Sequence, residues 1–409
     1  MPVYSEETRY HSSRLPKGVI ALGLVSLCMD LSSEMIHSLL PVFMVTVLGA
    51  SALSVGLIEG VAEATAAIAK VFSGMLSDMI GRRKPLVLLG YGLAALTKPL
   101  FPLATGLGSV LVARFLDRIG KGIRGAPRDA LIADITTPEN RGTAYGLRQA
   151  MDTVGAFAAP LLAMALMLAT NNNFRVVFWV ATVPAIFCIM LIVFGVDEPE
   201  AVQKQVVRRL PLSRAELCRL PKGFWQVAGI AGVLTLARFS EAFLLLRAQN
   251  LGMAVAWVPL ILIIMNGFYA LSAYPFGRMA DNGSRRRLLG WGIILLIVAD
   301  LLLAVTGNFW LAGVGAAVWG LHMGATQGVL SALIADAAPG ELRGTAFGIY
   351  NLISGGALLG ASVIAGSLWT VAGPQLTFLA GAGFAALALA GISSLPRHPV
   401  VQRGDSSVG

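Results

Sequence analysis

The residues with chemistry to offer stand where hydrocarbon is expected. Asp30, Glu34, Glu59, Glu63, Lys98, Asp117, Arg118, Lys121, Arg124, Asp152, Arg238, Glu241 and Asp300 all fall in or beside long apolar runs. An ionised side chain at a bilayer centre costs at least ~2.5–3.5 kcal/mol, so the set exposed to lipid would cost on the order of 35 kcal/mol. A folded protein has only about 5–15 kcal/mol of net stability, so these groups must face a protein interior, paired or wet. Helical phase agrees. At 100° per residue Asp30, Glu34 and His37 fall within about 60°, and Glu59, Glu63 and Lys70 within about 40°. Arg114, Asp117, Lys121, Arg124 and Arg128 fall within about 80°, so each of three helices carries one polar stripe.

That pattern supports proton and anion chemistry. Asp30 and Glu34, one helical turn apart in a poorly hydrated site, compete for ionisation, so one of them can load and release a proton. His37, a further turn on, can join the relay. Lys121 and Arg124 are fixed cations that can meet either an anionic substrate or the carboxylates of the first two runs. Glu59 is a further candidate on the pathway. Glu241 is another, with Arg238 as a partner across one turn. Arg148 and Asp152, also one turn apart, neutralise each other. His322 and Met323 read as packing residues. No nucleophile constellation, metal-ligand cluster or ATP-binding loop stands out, so neither an enzyme nor a cofactor is expected.

The elements that must position these groups follow from composition. Of 409 residues, 56% are in the set AVILMFWYC, 13% are charged and 46 are glycine, which exceeds what a soluble core can use. Twelve apolar segments lie at 19–48, 53–77, 86–105, 107–133, 142–169, 175–196, 224–248, 254–279, 288–307, 309–335, 343–371 and 374–394, each long enough to cross a bilayer as a continuous helix. The connections alternate. Those around 50–52, 106–108, Asn171 to Asn173, Asn308 and Gly373 are nearly uncharged. The others carry Arg82, Arg83 and Lys84, Arg141, the basic stretch from Lys204 to Lys222, Arg285 to Arg287, and Arg343. The positive-inside rule puts the basic set, and with it both termini, in the cytoplasm. The net charge of +9 is therefore largely topological and not a nucleic-acid surface. Cys28, Cys188 and Cys218 make no disulfide framework. The polar first 17 residues precede a run with Asp30 and Glu34 and no cleavage site, which reads as a retained span.

The two halves repeat. DALIADITTPENRGTAYGLRQA at 129–150 aligns without gaps on SALIADAAPGELRGTAFGIYNL at 331–352, with 11 of 22 positions identical. Asp134/Asp336, Glu139/Glu341 and Arg141/Arg343 are among them. GMLSDMIGRRK at 74–84 recurs as GRMADNGSRRR at 277–287, and Ser33-Glu34 as Ser240-Glu241. The first of these strings resembles the signature loop of the major facilitator superfamily, G-x-L-x-D-x-x-G-R-R-K, and the twelve-span, duplicated plan is similar to that family over essentially the whole chain. The resemblance implies an all-α membrane protein: twelve transmembrane helices in two pseudo-symmetric six-helix bundles, at 1–196 and 223–409, joined by a central cytoplasmic loop at 197–222. It implies a gate latch at Gly74, Asp78, Gly81, Arg82, Arg83 and Lys84, repeated at Asp281 and Arg285.

R-I-G-K-G-I-R-G-A at 118–126 resembles the family's R-x-x-Q-G-x-x-x-A, with Lys121 in place of glutamine. In the family its arginine, here Arg118, is linked to proton transfer. Gly146, Gly155 and Ala159-Pro160 resemble the span-5 motif of proton-coupled efflux antiporters, with alanine for the third glycine. Together these readings give a monomeric, proton-coupled secondary transporter in the inner membrane that exports a small organic solute by antiport. The alternatives are a proton symporter importing an organic anion and a non-transporting receptor or scaffold. The expected partners are substrate, protons and lipid.

Overall fold

The computed structural model describes residues 15–80, 82–137, 140–197, 214–339 and 342–392. Its helices are α1 Lys17–His37, α2 Leu40–Thr46, α3 Ala52–Ile80, α4 Lys84–Thr97, α5 Leu107–Asp134, α6 Arg141–Ala169, α7 Phe174–Gly195, α8 Arg214–Arg219, α9 Lys222–Ala237, α10 Ala242–Asn250, α11 Leu260–Asn282, α12 Arg285–Val305, α13 Phe309–Ala337, α14 Arg343–Ala372 and α15 Pro374–Ile392. Taking α1 with α2 and α9 with α10 as single crossings, and setting aside the short α8, these make twelve spans. Among the described residues nine helical segments are long and apolar enough to cross a bilayer. The charged stripe of α5 interrupts an otherwise sufficient length.

Several starts are written in the uncharged connections. The Asn173 side chain accepts from Val176 N–H at α7 and the Asn308 side chain from Trp310 N–H at α13, each satisfying a donor the helix leaves open. Four spans depart from the expected continuous helix. Span 1 breaks at 38–39 and span 7 at 238–241, while span 3 ends in a 3-10 turn at Lys98–Leu100 and span 8 opens with one at Val255–Trp257. Such breaks are costly only against lipid; here they line protein, and Ser240 N–H finds the Ser362 hydroxyl at 3.3 Å.

Packing sets α5 deep in the first half, against α3 and α4. At the α4–α5 crossing a Cβ on Gly120 would lie 2.6 Å from the Gly90 carbonyl oxygen, so only glycine admits this approach. The halves meet chiefly along α3 and α14, with α6 against α11 and α10 against α2 and α3. A Cβ on Gly56 would sit 2.2 Å from the Ser362 carbonyl oxygen. The contacts of α2 and α10 lie toward the uncharged connections. There the apolar core runs unbroken from Met35, Phe43 and Phe178 of the first half into Phe243 and Phe239 of the second. Toward the basic connections the first half keeps a separate core, built on Val19, Leu22, Tyr91 and Leu131. The halves are therefore sealed on the uncharged side, while toward the basic side the space between them reaches Lys70, Arg128 and Gln149, with α3 and α14 still adjacent at Val71 and Gly348.

Candidate functional site

Between the halves lies a cavity of about 1630 Å³, with walls from both. The first half supplies its charge. Asp30, Glu34, His37, Glu59, Glu63, Arg118, Lys121 and Arg124 all line it, as the polar stripes require. The second half supplies Arg238 and Glu241 from the span-7 break, and otherwise neutral or aromatic groups such as Asn266, Tyr269, Trp319 and Asn351.

The centre of the charged wall is a continuous network across four spans. Arg114 grips Glu59 with two nitrogens, Nε to Oε1 at 3.1 Å and Nη2 to Oε2 at 2.6 Å, both residues buried. The Glu59 carboxylate lies 3.4 Å from His37 Nε2, and Glu34 lies 3.7 Å from His37 Nδ1. Arg118 Nη2 stands 2.6 Å from His37 Nε2, while its Nη1 reaches Glu63 at 3.2 Å. A guanidinium has only donors. His37 Nε2 must therefore be the accepting nitrogen, which leaves a neutral ring with its proton on Nδ1, on the side of Glu34. Behind this wall Lys98 Nζ donates to Asp117 at 2.8 Å and to the Ser33 hydroxyl at 2.9 Å. Asp117 also lies 3.8 Å from Arg114.

Counting the members joined in this way, four carboxylates (Glu34, Glu59, Glu63, Asp117) face three permanent cations (Lys98, Arg114, Arg118). With His37 neutral the network holds one excess negative charge. A proton on His37 would remove that excess. It would also convert Nε2 from acceptor to donor, exchanging the bond from Arg118 for one to Glu59.

Other residues fall outside this network. Asp30 forms no ion pair within 4 Å among the described residues, and Glu34, one turn on, turns to His37. Lys121 and Arg124 also have no ion-pair partner among the described residues. Arg124 lies over the Tyr91 ring at 4.6 Å, and its buried Nη1 is unpartnered there. The expected Arg238–Glu241 pair does not form, because the break at 238–241 removes the i,i+3 geometry of a helix. Arg148 and Asp152 do pair, at 2.6 Å, and Arg128 joins that group through Asp129, at 3.1 Å from Arg128 and 3.9 Å from Arg148, while also donating to the Ser26 and Tyr91 hydroxyls.

His37, Glu59 and Glu63 do present ligand atoms within 4.8 Å of one another, a metal-like spacing the sequence reading missed. Two guanidiniums already occupy those atoms, so the donor set fits internal cations better than a metal ion. Arg114 and Glu63 were visible as members of polar stripes, but only the folded arrangement shows them to be direct partners of Glu59 and Arg118.

At the basic side the latch motifs appear in part. Arg83 Nη1 donates to the Ser77 hydroxyl at 2.6 Å, and its Nε lies 3.5 Å from Asp134. Lys84 donates to the Val193 carbonyl at 3.3 Å. In the second half Arg285 pairs with Asp336, the equivalent of Asp134. Arg82 is exposed. Residue 81 and the side chains at 74, 78 and 281 lie outside the described residues.

This is the architecture of a multi-span transporter with a central cavity, and sequence comparison agrees. The description of the Major Facilitator Superfamily matches residues 22–266 and 227–408. An uncharacterized MFS-type transporter of Methanocaldococcus jannaschii is 31% identical over 382 residues, covering 92% of this chain and 94% of its own. The inner membrane transport protein YajR of Escherichia coli is 25% identical over 392 residues, covering 93% and 83%. A crystal structure of a mutant of the nucleoside transporter NupG shares the fold with a TM-score of 0.80 at 12% identity, covering 92% of this chain and 99% of that one. The chain belongs to the major facilitator superfamily, a family of transporters and not of enzymes.

Proposed function

We propose that this protein is a proton-coupled secondary transporter of a small organic solute, working by alternating access between two bundles at 1–196 and 223–409. The observation that carries the reading is the position of His37. Its Nε2 can accept from Arg118 or, once protonated, donate to Glu59, but not both. Proton binding thus changes the partner of Arg118, the residue a coupling motif would use, on the wall of the cavity itself. Asp30 and Glu34 complete the protonatable set, and Lys121, Arg124, Glu59 and Glu241 make the charged surface a substrate meets.

Export by antiport is the direction favoured. The span-5 pattern at Gly146, Gly155 and Ala159-Pro160 supports it. So does the likeness, 24% identity over 295 residues, to a protein named for tetracycline resistance in Pasteurella multocida. With the basic connections in the cytoplasm of an inner-membrane protein, the side toward which the cavity extends is the inward one, where an exporter loads. The latch residues Gly74, Asp78, Gly81, Arg82, Arg83, Lys84, Asp281 and Arg285 would hold that side shut in the opposite state. A second reading, proton-coupled import of an organic anion, is favoured by one observation. Lys121 and Arg124 line the cavity with no carboxylate in ion-pair distance among the described residues.

Sealed vesicles containing the monomeric protein, with an imposed pH gradient and a panel of organic cations, anions and neutral compounds, test the proposal. Solute moving against the proton flow supports antiport, and solute moving with it establishes symport. Transport indifferent to the gradient in the wild type would sink proton coupling altogether.

A further inference from the structure

A separate ionisable group lies in the second half, away from the His37 network. Asp300, on α12, is fully buried, and neither carboxyl oxygen has a hydrogen-bond partner among the described residues. The duplication shows what has been lost there. Gly90 packs on Gly120 and Arg124 in the first half, and Gly292 packs on Ala325 and Thr326 in the second, so α4–α5 and α12–α13 superimpose at an offset of 202. At that offset Lys98 and Asp117, an ion pair at 2.8 Å, become Asp300 and Trp319. The carboxyl survives on the other helix, and its partner has become an aromatic ring.

The surroundings of Asp300 are apolar by construction. A Cβ on Gly381 of α15 would lie 2.6 Å from Asp300 Oδ2 and 3.0 Å from the edge of Phe239, so acid and ring meet over that glycine. Phe239 in turn packs on Trp319, Phe243 and Phe378. The charged groups of the neighbouring elements are committed elsewhere. Arg247 of α10 donates to the carbonyls of Leu303, Ala304 and Thr306. His322 of α13 bonds the Gly292 carbonyl, two turns from Asp300, and Glu241 lines the cavity. Arg238 is the exception. It precedes Phe239 in the span-7 break, lines the cavity, and has a buried Nε without a partner.

A bare carboxylate in such a site costs several kcal/mol, more than packing alone would tolerate. Closing or turning the 238–241 break by one residue moves the guanidinium about 100° round the axis, to where Phe239 now stands. We propose that Asp300 is a second proton-binding site, holding its proton in this conformation and exchanging it for the guanidinium of Arg238 when span 7 rearranges. The proton leaves the carboxyl oxygen for the water of the cavity, while Arg238 keeps its own protons and supplies the counter-charge. This site is independent of His37 and of the direction of transport.

Infrared spectroscopy of the full chain in lipid vesicles, over a pH series in H2O and D2O, reads the carboxyl directly. The wild type minus Asp300→Asn difference is expected to contain a carboxylic C=O band that shifts in D2O. In Arg238→Gln that band should persist to higher pH by about one unit or more, the size of effect a neighbouring guanidinium has on an acid. If Asp300→Asn does not fold, Asp300→Glu serves, with the band displaced in frequency and not lost. A spectrum without such a band, or one unmoved in Asp300→Glu, overturns the site. Identical pH dependence in wild type and Arg238→Gln overturns the exchange. His37→Gln should leave the band in place, so a failure here is separable from failure of the His37 coupling.

Discussion

His37 is a residue whose importance comes from its neighbours. As a lone histidine in an apolar run it could be simple packing, and the phase argument places it only on the same face as Asp30 and Glu34. The fold adds what phase cannot: Arg118 and Glu59, from two other helices, converge on the same nitrogen. His37→Gln can still accept from Arg118 through its amide oxygen but cannot take up a proton. We therefore expect substrate binding to survive and the acid limb of the pH profile of transport to disappear. A pH–rate profile in vesicles checks it, and an unchanged acid limb removes His37 from the coupling. The sign is fixed by the exchange: acid frees Arg118 from the ring, and alkali restores the bond.

Glu59 illustrates a different residue-scale effect. Both it and Arg114 are buried, and removing one partner of a buried pair typically costs about 3–5 kcal/mol, while replacing both by apolar groups is often neutral. Glu59→Gln should thus lower thermal stability markedly, and Glu59→Leu with Arg114→Met should regain much of it. A double-mutant comparison of melting temperatures in detergent decides between this and a purely functional role.

At the scale of elements, the polar stripes were legible because a helix has one period, and an expensive charge in lipid can point only inward. The stripes of α1 and α3 face the cavity, as does that of α5 from Arg118 to Arg128, while Arg114 and Asp117 of the same stripe lie behind the wall. What was less legible is where helices stop being helices. The break at 38–39 has a local cause that the span count passed over, because Pro41 at the start of α2 has no N–H to continue the ladder of α1. The break at 238–241 carries no proline and no signal in hydrophobic period, and is met by tertiary contact, Ser240 against Ser362. The loss of the Arg238–Glu241 pair follows from the second break alone. Glycine spacing was equally mute about its partner: Gly56 looks like any small residue in a span, yet it faces a backbone carbonyl of α14. Gly56→Val should leave each half folded while preventing this closure of the uncharged side. Labelling of cysteines introduced at positions 53 and 370 should then rise relative to the parent protein, and equal labelling would show that the contact is not part of the seal.

At the scale of the whole molecule, duplication supplies a frame that the two halves have used unequally. The frame itself was readable from repeated strings, and it persists where it is mechanical. Arg83 with Asp134, and Arg285 with Asp336, are equivalent pairs at the basic ends of equivalent spans. Chemistry has not persisted in the same way. The first half lines its side of the cavity with charged groups, many of them joined in the His37 network, whereas the second keeps Asp300 without its partner and, apart from Arg238 and Glu241, faces the cavity mainly with neutral and aromatic groups. Under the proposed coupling each half carries its own proton site, His37 in the first and Asp300 in the second, on a shared mechanical frame. The pairs at the basic end are partly exposed, so each is worth only about 0–1 kcal/mol to stability. That is small for folding but sufficient to bias two conformations of nearly equal energy. Asp134→Asn and Asp336→Asn should therefore each leave the melting temperature almost unchanged while slowing turnover at saturating substrate. Their combination should slow it further, since the pairs sit on opposite halves of one moving interface. A double variant no slower than either single would show that only one half carries the latch, and that the repeat at the basic ends is ancestry without function.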